Sequence, residues 1–156
     1  MLFSLYVHLL YKTQQYQKAY TFFRQGAALG IKEANFWYFY GQCCAHLSLE
    51  TESLKAYKKS FKLNPQSSAS YLAYGLTFKN KSPKKAIRYL KKALEGEIPQ
   101  YKAYRHLGDL YCELNRFELA YEMYSIALFY SSTHPEELTK IEKQLRLLTQ
   151  LKPKRG

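Results

Sequence analysis

The chain has 156 residues, 47% of them apolar or aromatic with 16 Tyr and 9 Phe, and a formal net charge of +12. That is enough apolar surface for one well-cored domain, too much for a disordered chain, and too short a length for two ordinary domains. No stretch approaches the roughly 18 consecutive apolar residues of a membrane span, and the three cysteines, with Cys43 and Cys44 adjacent, make a poor disulfide framework that suits a reducing, cytoplasmic setting.

The first predicted helix covers Met1 to Leu10. Its apolar run lacks the basic leader and small-residue cleavage site of a signal peptide, and it falls in phase with three later segments of the chain, so it reads as a structural helix. Phe3, Trp37, Tyr71 and Tyr104 recur at steps of 34, 34 and 33 residues. Val7, Gly41, Gly75 and Gly108 keep the same steps, and after them Leu10, Cys44, Phe78 and Tyr111. A second helix in each unit carries Ala19, Ser53, Ala86 and Ala120, then Phe23, Tyr57, Leu90 and Tyr124, and closes with Gly26, Ser60, Ala93 and Ala127. Gly30, Pro65 and Pro99 fall between units, and Ser82-Pro83 reads as an N-cap followed by proline in the first helical turn. The one-residue shortening falls near Lys81 and Ser82.

This spacing puts the aromatic, the small residue and the next apolar residue on one face of the first helix of each unit. The small residues allow close backbone approach, and no helix pair can bury its apolar face alone, so pairs must stack. The expected architecture is all-α, with four helix-turn-helix repeats at about 1–33, 34–67, 68–100 and 101–134. A capping helix at 135–151 comes next, with Leu138, Ile141, Leu145 and Leu148 in one stripe. These make a single domain, 1–152, and leave a frayed basic tail at 153–156.

The pattern resembles the tetratricopeptide-repeat (TPR) family across essentially the whole chain, most specifically at Trp37-x-x-Tyr40-Gly41 and Leu107-Gly108-x-x-Tyr111. In the first unit Val7 stands where glycine is usual. The resemblance implies a helical solenoid whose concave surface, lined by the first helix of each pair, cradles a peptide of a partner protein. Helical phase assigns that lining to His8, Tyr38, Gln42, His46, Leu72, Leu76, Lys79, Lys102 and Arg105, with an apolar anchor point in the middle and a carboxylate held by Lys102 and Arg105 at one end. The competing reading is that Leu72 and Leu76 only complete the packing between repeats. TPR domains that clamp the acidic C-terminus of heat-shock chaperones use a Lys and Asn set that is matched here only by Lys102, so that ligand is not expected. The stretch from Ala127 to Leu138, and Tyr16 to Phe23 with Phe36, Trp37 and Gly41 to Cys43, look like the TPR chaperones of bacterial type III secretion that hold translocator proteins. That likeness implies an apolar client segment in the groove.

The charge is uneven. Residues 53–94 contain eleven Lys or Arg and no Asp or Glu. Lys55, Lys58, Lys59 and Lys62 share one face of one outer helix, and Lys84, Lys85, Arg88, Lys91 and Lys92 share one face of the next. Together they predict a convex basic ridge, attractive to RNA, anionic headgroups or an acidic protein surface. The ridge reads as nearly all Lys without interleaved aromatics for base stacking, which leaves a solvated face, an acidic protein partner and an RNA- or ribosome-associated role as alternatives. His8, His46, His106 and His134 are scattered without metal-ligand spacing to a cysteine, and no phosphate loop or nucleophile motif is present. The expectation is a non-enzymatic, cofactor-free binding protein, monomeric or weakly dimeric.

Overall fold

The computed structural model describes residues 2–96 and 101–151, with side chains from Leu5 onward. The expected turn at Pro99, the tail 153–156 and the side chain of Phe3 lie outside the described residues. The described chain is a succession of helices in chain order: α1 (Leu2–Lys12), α2 (Tyr16–Ala28), α3 (Ala34–His46), α4 (Glu50–Leu63), α5 (Ser68–Leu76), α6 (Pro83–Ala93), α7 (Tyr101–Glu113), α8 (Phe117–Tyr130) and α9 (Pro135–Leu151). Consecutive helices pair as α1–α2, α3–α4, α5–α6 and α7–α8, and α9 packs on α8. No strand occurs among the described residues.

Local signals set the helix limits. Glu50 and Glu52 open α4 and Lys62 closes it, in the sense favoured by the helix dipole. Pro83 begins α6 after Ser82, although the Ser82 side chain makes no capping hydrogen bond. The turn inside each pair explains the unequal repeat steps. In three units a backbone N–H reaches back five residues, from Gln15 to Leu10, Leu49 to Cys44 and Arg116 to Tyr111, across a left-handed residue at Gln14, Ser48 or Asn115. In the third unit the equivalent bond, from Ser82 to the Phe78 carbonyl, spans four residues, and no left-handed residue is used. The missing residue is therefore the one that would have turned with positive φ.

Glycine at the helix crossings is required by space. A Cβ on Gly41 would lie 2.5 Å from the Tyr57 ring, and one on Gly108 would lie 2.7 Å from the Tyr124 ring. Each ring comes from the partner helix of the pair and is buried. Burial divides into two clusters. One joins Val7, Phe23, Phe36, Trp37, Tyr40, Cys43 and Cys44. The other joins Leu72, Leu90, Leu107, Leu110, Tyr124, Ile141 and Leu148, so the last helix does seal the fourth pair. Where α4 meets α5 the buried contact includes a run of hydroxyls: Ser60 Oγ donates to the Ala34 carbonyl at 2.8 Å and lies 2.7 Å from Ser70 Oγ. Both hydroxyls have partners, which is what makes a polar junction tolerable inside a core. Trp37 is fixed by its indole N–H, which donates to the Ile31 carbonyl at 2.6 Å. Tyr20 and Tyr40 both donate to the Glu52 carboxylate, tying the first pair to the second.

Candidate functional site

The first helices α1, α3, α5 and α7 supply the inner face, and its two ends differ. At the N-terminal end, His8 of α1 meets Phe39 of α3 edge to face, with centroids 4.3 Å apart. Tyr11 lies 5.5 Å from Phe39, and Tyr38 lies 5.2 Å from it. His46 stacks on Tyr16 at 4.2 Å with the rings nearly parallel. The Gln42 amide donates to the Tyr38 hydroxyl at 3.0 Å, and burial raises the Tyr38 pKa, so that phenol stays protonated. Beside these rings opens a cleft of about 570 Å³, lined by Leu5, His8, Phe23, Glu33, Asn35, Phe36 and Phe39. Leu5 is 66% exposed at its edge.

At the C-terminal end the inner face is charged and already paired. Lys79 lies 3.4 Å from Glu113 and 4.0 Å from Asp109. Arg105 lies 3.5 Å from Asp109 and, through Nε, 2.9 Å from Glu137 of the cap helix. The Tyr124 hydroxyl donates to Asp109 at 2.7 Å. Burial pushes the Asp109 pKa up, but the neighbouring His106 imidazole, the hydrogen bond from Tyr124 and the Arg105 charge outweigh it and hold the carboxyl below its ordinary value. Glu137 is likewise held low: desolvation opposes the shift, and Lys140, Arg105 and Lys102 together overcome it.

The expected lining is thus only partly brought together. His8, Tyr38, Gln42 and His46 share the aromatic end. Leu72 is a correction: it is 9% exposed and belongs to the core of the third and fourth pairs. Leu76 packs against the same cluster. The α5 face thus commits Leu72 to the core and leaves Leu76 half-buried beside it. Arg105, expected to hold a ligand carboxylate, instead lies against Asp109 and Glu137, and Lys79 lies against Asp109 and Glu113. Lys102 remains exposed. Leu5, Asn35 and Phe39 were missed. Leu5 and Phe39 stand 34 residues apart, in the same register as the repeat and one position beyond the line used to assign the lining.

Aromatic rings from α3, from α5 and from the turn after α5 lie beneath the lysines of the basic ridge. Lys59 Nζ sits 3.9 Å over Trp37, Lys85 Nζ sits 3.9 Å over Phe78, and Lys92 Nζ lies 5.8 Å from Tyr71. Phe61 of α4 and Tyr89 of α6 lie 6.3 Å apart, so the two lysine stripes occupy neighbouring helices.

The thiols show no activation. Burial pushes Cys43 up to about 11 and Cys44 up to about 12, and Cys43 Sγ donates to the Tyr16 carbonyl while His46 stacks on the Tyr16 ring. Among the described residues no group of three or more His, Cys, Asp or Glu converges as a metal site.

The pairing and stacking of the nine helices among the described residues define the TPR helical solenoid, four repeats closed by a cap. Solved structures agree. The chain is similar to MamA (TM-score 0.77, 17% identity, covering 92% of this chain and 82% of that one). It is similar to PilW, described as a widely conserved type IV pilus biogenesis factor (0.75, 14%, 97% and 78%). It is also similar to YrrB, described as a TPR protein with an unusual peptide-binding site (0.75, 16%, 99% and 78%). No protein-family model and no curated sequence matches the chain. At these identities the likeness shows the fold alone.

Proposed function

We propose that this protein holds an extended segment of a partner polypeptide on the concave face of its first two units, with an apolar side chain of that segment in the cleft between α1 and α3. The observation that carries this reading is the cleft itself, walled by Leu5, Phe36 and Phe39. At its edge stands Asn35, whose amide has no partner among the described residues and is suited to a peptide backbone. Apolar walls with a few polar groups are the make-up of a peptide groove. The fold likeness to YrrB supports the same reading. A client of the kind held by secretion chaperones, an apolar stretch kept from aggregating, fits a cleft with these walls. Unpaired Cys43, Cys44 and Cys112 favour a reducing compartment for the work. No catalytic role is proposed, since the thiols are protonated and no carboxylate pair converges on the cleft.

The test is selection from a displayed library of random peptides, followed by calorimetric titration of the enriched sequences. Wild type should enrich peptides with a shared large apolar residue. Their affinity should fall at least about tenfold in Phe39→Asp and in Leu5→Asp, because one buried apolar side chain is worth about 1.5–3 kcal/mol. It should survive about 1 M salt, where charges are screened beyond about 3 Å. Enrichment of acidic peptides insensitive to both substitutions would overturn the reading.

A further inference from the structure

A second cleft, built from helices of the third and fourth units, lies at the end of the basic ridge. It has a volume of about 380 Å³ and is lined by Lys84, Ile87 and Lys91 of α6, Tyr111 of α7, Leu114 in the turn after α7 and Arg116 at the start of α8. Three cations therefore surround an aliphatic floor. No carboxylate of the described residues lies within ion-pair distance of Lys84, Lys91 or Arg116. Residues 53–94 hold no acid that would supply one locally. Leu114 is 39% exposed in the floor, whereas Tyr111 is only 6% exposed.

We propose that this cleft docks an acidic segment of a partner polypeptide, bound extended, with one apolar side chain seated between two carboxylates. The spacing supports it. Lys84 and Lys91 are two helical turns apart, about 10 Å along α6, and Ile87 sits between them on the same face. An extended peptide presents alternate side chains to one side, so residues four apart lie about 13 Å from each other with one between. The flexible lysine stems take up the difference, and the Arg116 fork adds a two-point contact to one carboxylate.

A polypeptide is favoured over RNA by the rings. Base binding to a basic face uses free aromatic faces, but Trp37 and Phe78 already carry lysine ammonium groups 3.9 Å from their centroids. The cleft floor offers aliphatic side chains and the mostly buried Tyr111, which suit an apolar side chain rather than a base. The surface shares no residue with the concave cleft, so it stands or falls independently of the function proposed for that cleft.

The experiment is fluorescence anisotropy of the full chain with a dye-labelled peptide in which two glutamates flank a leucine at alternate positions, serines filling the gaps. The same peptide with serine for leucine and an oligouridylate serve as competing probes. Binding of the first probe should weaken at least about tenfold when its leucine is replaced. The same loss is expected in Lys84→Glu/Lys91→Glu/Arg116→Glu, and Leu114→Ser gives a milder test that leaves the charges in place. Lys55→Glu/Lys62→Glu, on α4 outside the cleft, should change it by less than about threefold. No binding, equal binding without the leucine, equal losses in the two charge-reversed variants, or tighter binding of oligouridylate would each overturn the proposal.

Discussion

The two ends of the concave face occupy equivalent repeat positions and use them for opposite purposes. In the first two units those positions carry Leu5, His8, Tyr38, Phe39 and Gln42, and a cleft stays open beside them. In the last unit they carry Arg105, His106 and Asp109, and the charges are consumed by contacts to Lys79, Tyr124 and the cap-helix residue Glu137. An open apolar wall remains available to a ligand because it has no better partner within the chain. A charged wall finds its partners internally and becomes part of the fold. A repeat position is therefore not functional by its place in the motif; it is functional when the neighbouring helices leave it unmatched.

Substitutions test that division. The largest effect belongs to the core beneath the charged end: Leu107→Ala, at a fully buried site, should cost about 2–5 kcal/mol in chemical denaturation. Peptide affinity per folded molecule should be unchanged, and a loss of affinity there would break the division. Gly108→Ala should cost about 1–3 kcal/mol by driving a methyl against the Tyr124 ring. Tyr124→Phe should cost about 1–3 kcal/mol by leaving Asp109 without its short hydroxyl donor; calorimetric melting reads both.

The response to acid should be strongest at the same end. Asp109 and Glu137 are held below their ordinary values of 3.8 and 4.5, so the stabilisation they supply is complete above those values and is lost as pH falls through the folded-state values. Amide hydrogen exchange should therefore show α9 losing protection on acidification before α3 does, and simultaneous loss would contradict the assignment. The smallest effect is Arg105→Ala on groove binding, expected at less than about threefold because that charge is already met. A larger drop would restore Arg105 as a ligand contact.

Much of the fold was legible in the sequence because its cause is periodic. The step of 33 or 34 residues, the glycine under the crossing tyrosine in the second and fourth units and the apolar stripe of the cap all come from helices that bury one face. The site was less legible. Phase put Leu72 on the inner line and left Phe39 one position beyond it, outside the expected lining. Packing reverses that assignment, since Leu72 is covered by the third and fourth pairs while Phe39 borders a cleft. The ridge shows the same limit: its lysines were visible as a run, whereas the rings beneath Lys59 and Lys85 come from α3 and from the turn after α5.

What the sequence by itself determined is the repeat: its length, its helix pairs, its close-approach glycines and the uneven placement of positive charge. These depend on residues a few positions apart, and helical geometry relates such residues without knowledge of the rest. The tertiary structure alone decided which inward-facing groups stay open and which are neutralised. Arg105 meets Glu137 across 32 residues of chain and Lys79 meets Glu113 across 34, and no local period encodes an electrostatic match between side chains that only stacking brings within 4 Å.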